Sequence, residues 1–353
     1  MSTKKKKVTR RKPASAVLVT GATGFLGKHL VSALRDPAHV GADASRPIRA
    51  LVRTPTLHLE RSGVEVTVGD VCRDEDCRAA MKGVSEVYHL AGKVSRDADS
   101  ASGLYRVHVE GTRRVLEAAA EASVKRIVLA STSGTIAVSE FPEVSTERSP
   151  YRTDVVRRWP YYLSKIYQEQ TARKMAEELG LELVIVNPTL LLGPGDERGS
   201  STGDVEKVIR GKLPVIPRGG GVAFVDARDA AVGCVAAMKH GTAGERYLLN
   251  AENVTFGDLM GRVARLANVT TPRALLEAST MKIAGRMIEA VWKQLDAKPP
   301  VDVEGLEMAE HYWYCSADKA KNELGWSHRD PQVTLTDTVR DVQRRHNLLP
   351  LSA

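Results

Sequence analysis

The segment VLVTGATGFLGKHL, residues 17–30, passes from an apolar, β-branched run into a helical pattern through Gly21, Gly24 and Gly27. No other stretch restricts the fold so strongly. A strand-to-helix turn this tight needs residues that tolerate positive φ and let backbone amides approach a pyrophosphate at the helix N-terminus. Three spaced glycines alone are common; the strand before and the helix after give them weight. Further along, apolar runs at Ile48–Val52, Glu65–Val68, Glu86–Leu90, Arg126–Ala130 and Leu183–Val186 follow the first at Ala16–Thr20, with helical patterns between them, as at Gly24–Leu34 and Gly111–Ala122. Such alternation predicts a parallel sheet covered on both faces, its ligand site at the carboxyl ends of the strands.

The second expected strand ends at Arg53 with no acidic residue at its tip. An acid there would accept from a free ribose 2′-hydroxyl, whereas an arginine accommodates a 2′-phosphate, so NADP is favoured and NAD is the alternative. Farther on, WPYYLSKIYQE, residues 159–169, holds the chain's single Tyr-x-x-x-Lys match, Tyr161 with Lys165. On a helix this spacing puts both side chains on one face. An ammonium beside a phenol favours the phenolate, which would let Tyr161 exchange a proton with a substrate while hydride moves to or from nicotinamide.

After Pro188 the chain turns to Gly/Pro-rich loops, GPGDERGSSTGD and IPRGGG, which are candidate substrate loops. Residues 274–296 show apolar positions at helical spacing and predict a helix, packed on the smaller region, forming a lid over an apolar substrate, or lying on a membrane surface. The net charge of +8 comes almost entirely from Lys4–Lys7, Arg10, Arg11 and Lys12, which leave +1 for the remainder. It therefore marks a disordered basic tail over residues 1–14 and gives no reason to expect nucleic acid. No apolar run is long enough to span a membrane, and peripheral contact, through the tail or the 274–296 helix, is the remaining membrane role. Cys72, Cys77, Cys234 and Cys315 lack metal-ligand spacing, so no metal is expected. They read as free thiols of a cytoplasmic protein.

From residue 15 to about residue 345 the chain resembles the extended short-chain dehydrogenase/reductase superfamily. TGATGFLG is similar to its cofactor turn, Gly69-Asp70-Val71 to its adenine-contacting segment, and His89-Leu90-Ala91-Gly92 to the strand end beside the cofactor. Val109-Glu110-Gly111-Thr112 resembles the opening of the following helix, PYYLSK the catalytic helix, and NPTLLLGPGD the segment bordering nicotinamide. FVDARDAA and KAKNELGW match two later signatures. The resemblance implies an α/β fold: a Rossmann-type, doubly wound parallel sheet with a smaller C-terminal substrate-binding region. The NAD(P)-binding domain would span 15–188 and the substrate region 189–353, with about 222–250 returning to the first domain. It implies cofactor contacts from Gly21, Thr23, Gly24, Phe25, Leu26, Gly27, Arg53, Asp70, Val71, Leu90, Ala91, Gly92, Lys165, Pro188 and Leu191. Thr132, in LASTSGT, takes the place of the third catalytic group beside Tyr161 and Lys165, with Ser131 and Ser133 as close neighbours in sequence. Where relatives often have Asn, this chain has His108, read as a buried, satisfied histidine. A homodimer is a family expectation.

Dehydratases of the superfamily follow the catalytic Thr with Asp-Glu; here Ser133-Gly134 stands instead. Sugar-nucleotide epimerases carry a basic pair near the FVDARD segment, which this chain lacks, although Arg210, Lys212 and Arg218 lie nearby in sequence. The remaining pattern is closest to the branch of dihydroflavonol reductases and hydroxysteroid dehydrogenases. The expectation is an NADP(H)-dependent oxidoreductase interconverting a ketone and a secondary alcohol on a bulky, apolar substrate. An NAD(P)-dependent sugar-nucleotide epimerase is the second reading and a non-catalytic NADP-binding redox sensor the third.

Overall fold

The computed structural model describes residues 15–96, 100–213, 215–270, 274–276 and 303–348. The basic tail lies outside them. Six of the apolar runs form β1 (Ala16–Thr20), β2 (Ile48–Val52), β3 (Glu65–Val68), β4 (Val84–His89), β5 (Arg126–Ala130) and β6 (Glu182–Pro188). β4 starts two residues before the sequence pattern and stops one short of it, and β6 extends beyond it at both ends. The later strands are β7 (Leu190–Leu192), β8 (Val215–Pro217), β9 (Gly221–Asp226), β10 (Arg246–Leu249), β11 (Glu252–Thr255) and β12 (Ala274–Leu276).

One seven-stranded sheet has the order β10-β6-β5-β4-β1-β2-β3, and every pairing in it is parallel. The chain leaves β1 toward β2 and β3, then crosses back to β4 on the other side. That reversal opens a crevice at the carboxyl ends of β1 and β4, where an open α/β sheet binds its ligand. The strands at the centre of the sheet are buried and largely apolar, β1 throughout and β5 over Ile127–Leu129, whereas the edge strand β3 is partly exposed. On one face they meet the helices Phe25–Arg35, here α1, and Ala227–His240, through Leu30, Leu34, Ala231 and Val235. On the other they meet the helices Asp74–Met81, Gly111–Glu121 and Pro160–Leu179, through Met81, Val115, Leu116 and Ala172.

A separate core joins Leu192 on β7 and Phe224 on β9 to Leu259 and Val263 of the Phe256–Ala267 helix and to Leu335 and Val339 of the Pro331–Arg345 helix. Here β9 pairs parallel with β7 and antiparallel with β11. The helix expected over 274–296 is corrected at its start: Ala274–Leu276 is strand β12, because its backbone pairs parallel with β8. Residues 277–296 lie outside the described residues. The helix at Val109–Thr112 also begins earlier than expected. Helical structure runs from Ala101 to Glu121, interrupted at Arg106–Glu110 by a π-turn that holds His108.

Candidate active site

Gly21 sits at φ +74°, and a Cβ there would stand 2.6 Å from the Leu90 carbonyl carbon. A Cβ on Gly27 would reach within 2.1 Å of the Gly21 carbonyl oxygen, so α1 packs directly on the turn. The N-cap of α1 is Gly24, and no side chain caps the helix. Its first N–H groups are thus left for an anion, which fits a pyrophosphate. The turn opens on a cavity of 2330 Å³ lined by all the residues expected at the cofactor, from Gly21 to Leu191, and by Thr132, Tyr161 and Lys165. Arg53 is exposed on its wall. Asp70 Oδ1 accepts the Cys72 amide at 2.9 Å, which shapes the loop after β3.

Tyr161 and Lys165 share the Pro160–Leu179 helix, which Pro160 opens at its first turn. The Ser164 hydroxyl donates to the Tyr161 carbonyl oxygen at 2.7 Å and meets His108 Nδ1 at 2.8 Å. Because Ser164 spends its proton on that carbonyl, Nδ1 carries the ring proton, and Nε2 accepts the Lys93 amide at 3.1 Å. His108 is therefore buried, neutral and fully bonded, with its value held well below the usual histidine range by burial and then by Lys165. Lys165 is buried too. Burial lowers its ammonium to about 8, Glu169 opposing, and Nζ donates to Ala130 O at 2.8 Å and Gln168 Oε1 at 2.5 Å. One expectation is corrected here. The Tyr161 phenol lies above its ordinary value, through burial and then the Tyr162 phenol, and Lys165 is not what shifts it.

At the end of β5, Glu169 organises the loop carrying Thr132. Fully buried, its Oε1 accepts the Ser131 hydroxyl at 2.5 Å, Thr135 at 3.0 Å and Asn187 Nδ2 at 2.7 Å, and its Oε2 accepts Tyr151 at 3.1 Å. Arg246 Nη1 stands 3.6 Å from Oε2, an ion pair without a hydrogen bond. Asn187 also donates to Thr132 O at 2.9 Å. Ser131 is thus committed to Glu169, whereas the Thr132 hydroxyl oxygen only accepts a long contact from the Gly134 amide, 3.4 Å.

Beyond Thr132, Tyr161 and Lys165 the wall becomes aromatic and aliphatic. The Tyr162 and Trp313 rings lie 4.8 Å apart, and Trp159 packs behind them at 5.5 Å from Trp313. Gly134 makes room: a Cβ there would stand 2.3 Å from Tyr162 Cε1. Leu190, Ile216, Phe256, Met260, Leu306 and Met308 continue the surface. The GPGDERGSST loop is clasped by Asp196, whose carboxylate accepts the amides of Ser200, Ser201 and Thr202. Of the three basic groups near the FVDARD segment, only Lys212 lines the cavity; Arg210 is paired with Glu206 at 2.7 Å.

Residues 17–250 match the NAD dependent epimerase/dehydratase family. The chain belongs to this family. Proteins similar to it include Sterol demethylase protein B of Methylococcus capsulatus, 32% identical over 339 residues, covering 93% of this chain and 98% of that one. Cinnamoyl-CoA reductase 1 of Oryza sativa subsp. japonica is 28% identical over 348 residues, covering 94% and 91%. Dihydroflavonol 4-reductase of Hordeum vulgare is 31% identical over 189 residues, covering 50% and 53%. The crystal structure of gox2253 superposes with a TM-score of 0.81 at 29% identity, covering 95% of this chain and 100% of that one. As a member of this epimerase/dehydratase family, of the extended short-chain dehydrogenase/reductase type, the protein is an NAD(P)-dependent oxidoreductase. Among the described residues no helix is long and apolar enough to cross a membrane.

Proposed function

We propose that the protein interconverts a ketone and a secondary alcohol on a bulky, largely hydrophobic substrate, with NADP(H) as its cofactor. The observation that supports this best is the continuity of one cavity, from a glycine turn suited to pyrophosphate, past Tyr161, Lys165 and Thr132, to the Tyr162–Trp313 wall. Bound nicotinamide supplies or accepts the hydride. Tyr161 gives the hydroxyl proton in ketone reduction and, as the phenolate, takes it in the reverse direction; its value, raised in the protein alone by burial, supports the neutral phenol for the first role. Lys165 holds a cationic edge beside it, and Thr132, its hydroxyl barely engaged, orients the carbonyl. Fixed donors aimed at the oxygen where charge develops provide most of the acceleration. Preference for the phosphorylated dinucleotide rests on Arg53, exposed on the cavity wall at the tip of β2. The partner of the exposed Tyr105–Tyr167 pair, rings 6.4 Å apart, is read as a second copy of the chain.

Replacing Tyr161 by Phe tests the reading. NADPH affinity stays nearly unchanged while turnover of ketone substrates falls by about 10²–10⁴-fold; unchanged turnover overturns it. The sugar-nucleotide epimerase ranks second, kept by Lys212 on the cavity wall. Tightly retained cofactor with no net redox change during turnover would favour it.

A further inference from the structure

Behind Lys165 runs a chain of buried polar side chains that the proposed chemistry does not use. Gln168 accepts from Lys165 Nζ through Oε1 at 2.5 Å and donates from Nε2 to Thr112 Oγ1 at 2.8 Å. His89 Nε2 meets the same oxygen at 3.0 Å, Thr20 Oγ1 meets His89 Nδ1 at 2.7 Å, and the Ala91 amide donates to Thr20 Oγ1 at 3.2 Å. Thr20, His89, Thr112 and Gln168 are each 0–1% exposed.

Each proton in the chain has one consistent place. The Thr112 hydroxyl donates to His108 O at 2.5 Å, so its oxygen must accept from both Gln168 and His89. His89 therefore carries its proton on Nε2 and accepts from Thr20 on Nδ1. Burial, and then Lys165, lowers His89 to about 3, so the ring is neutral at working pH. The Gln168 amide cannot rotate without breaking both of its bonds. It also cannot pass a proton on, and the Thr112 proton ends on a carbonyl. The chain is a brace, not a relay.

We propose that Gln168 is a positioning residue that fixes the ammonium of Lys165 at the cofactor side of the cavity, and that Thr112, His89 and Thr20 hold Gln168 against the strand ends beside the glycine turn. This rests on the reading of Lys165 as a group that contacts the cofactor. The titratable groups around Lys165 are His89 on β4, His108 on the π-turn, and Tyr161 and Glu169 on its own helix; β5 offers only the Ala130 carbonyl.

The test is a lysine ¹⁵Nζ NMR titration of the full-length, NADPH-loaded protein, with Lys165 assigned by its loss in Lys165→Met. Gln168→Glu, which puts a carboxylate against Nζ, raises the Lys165 midpoint by about one pH unit or more; Gln168→Leu, which removes the acceptor, lowers it. NADPH affinity falls by about tenfold in Gln168→Leu, which removes both the acceptor for Nζ and the donor to Thr112. Should one variant fail to fold, the midpoint of the other decides. Midpoints that coincide with wild type, or an unchanged NADPH affinity in Gln168→Leu, overturn the proposal. The titration does not depend on which reaction is catalysed: if Tyr161→Phe keeps full turnover while the midpoints move in opposite directions, the brace stands and the catalytic reading fails.

Discussion

The Ser131 hydroxyl donates to Glu169 Oε1 at 2.5 Å, tying the residue before Thr132 to a carboxylate with no solvent exposure. Three further donors and Arg246 converge on the same group. Glu169→Leu would strand them all in the interior, at a cost of about 3–5 kcal/mol. Urea denaturation should show that loss, with a smaller one in Glu169→Gln, which keeps one acceptor oxygen.

Gly134→Ala should separate substrate handling from cofactor binding. Its Cβ would collide with Tyr162 Cε1, and Trp313 lies 3.0 Å away on the same side, so the Tyr162 ring has nowhere near to go. Turnover of bulky ketones is expected to fall with a stability loss of about 1–3 kcal/mol, while NADPH titration by fluorescence stays as in wild type.

Arg53→Ala should discriminate between the two dinucleotides. Arg53 makes no side-chain hydrogen bond or ion pair within the described residues and lies on the cavity wall, so its loss leaves the fold intact. Losing a charge-assisted contact to a 2′-phosphate weakens NADPH by about ten- to a hundredfold. NADH affinity is unchanged; equal weakening of both would remove Arg53 as the discriminator.

His89 makes stability depend on pH. Its value falls from 6.5 to about 3 in the fold, through burial and then Lys165. The unfolded chain thus takes up a proton that the folded one refuses, and stability present above pH 6.5 is lost as pH falls toward 3. The full contribution is roughly 3–5 kcal/mol. Denaturation at pH 7.5 and pH 5 should show a smaller drop in His89→Asn than in wild type.

Much of the frame was legible in the chain. β1, β2, β3 and β5 match the sequence pattern residue for residue: β1 is buried throughout and keeps an unbroken apolar run, whereas the partly exposed edge strand β3 was legible through its β-branched residues. The Pro160–Leu179 helix was equally legible, since Tyr161 and Lys165 stand one turn apart on it. Less visible was the helix run Ala101–Glu121, whose π-turn at Arg106–Glu110 has no marker of its own in the residues. Gln168 and Glu169 also escaped notice: adjacent polar residues in a helix read as solvated, yet both are fully buried. The one hint was the position of Gln168 three residues after Lys165, on the same helix face.

By itself, then, the sequence determined the alternating parallel sheet, the glycine turn and the Tyr161–Lys165 pair, because each is set by residues within a few positions of one another. Only the tertiary structure decided which polar groups are buried and in which direction their protons point. Gln168 reaches Thr112 across 56 residues and Thr20 reaches His89 across 69. Partners so distant are brought together by sheet order and helix packing, and no local pattern records a contact that exists only once the strands are assembled.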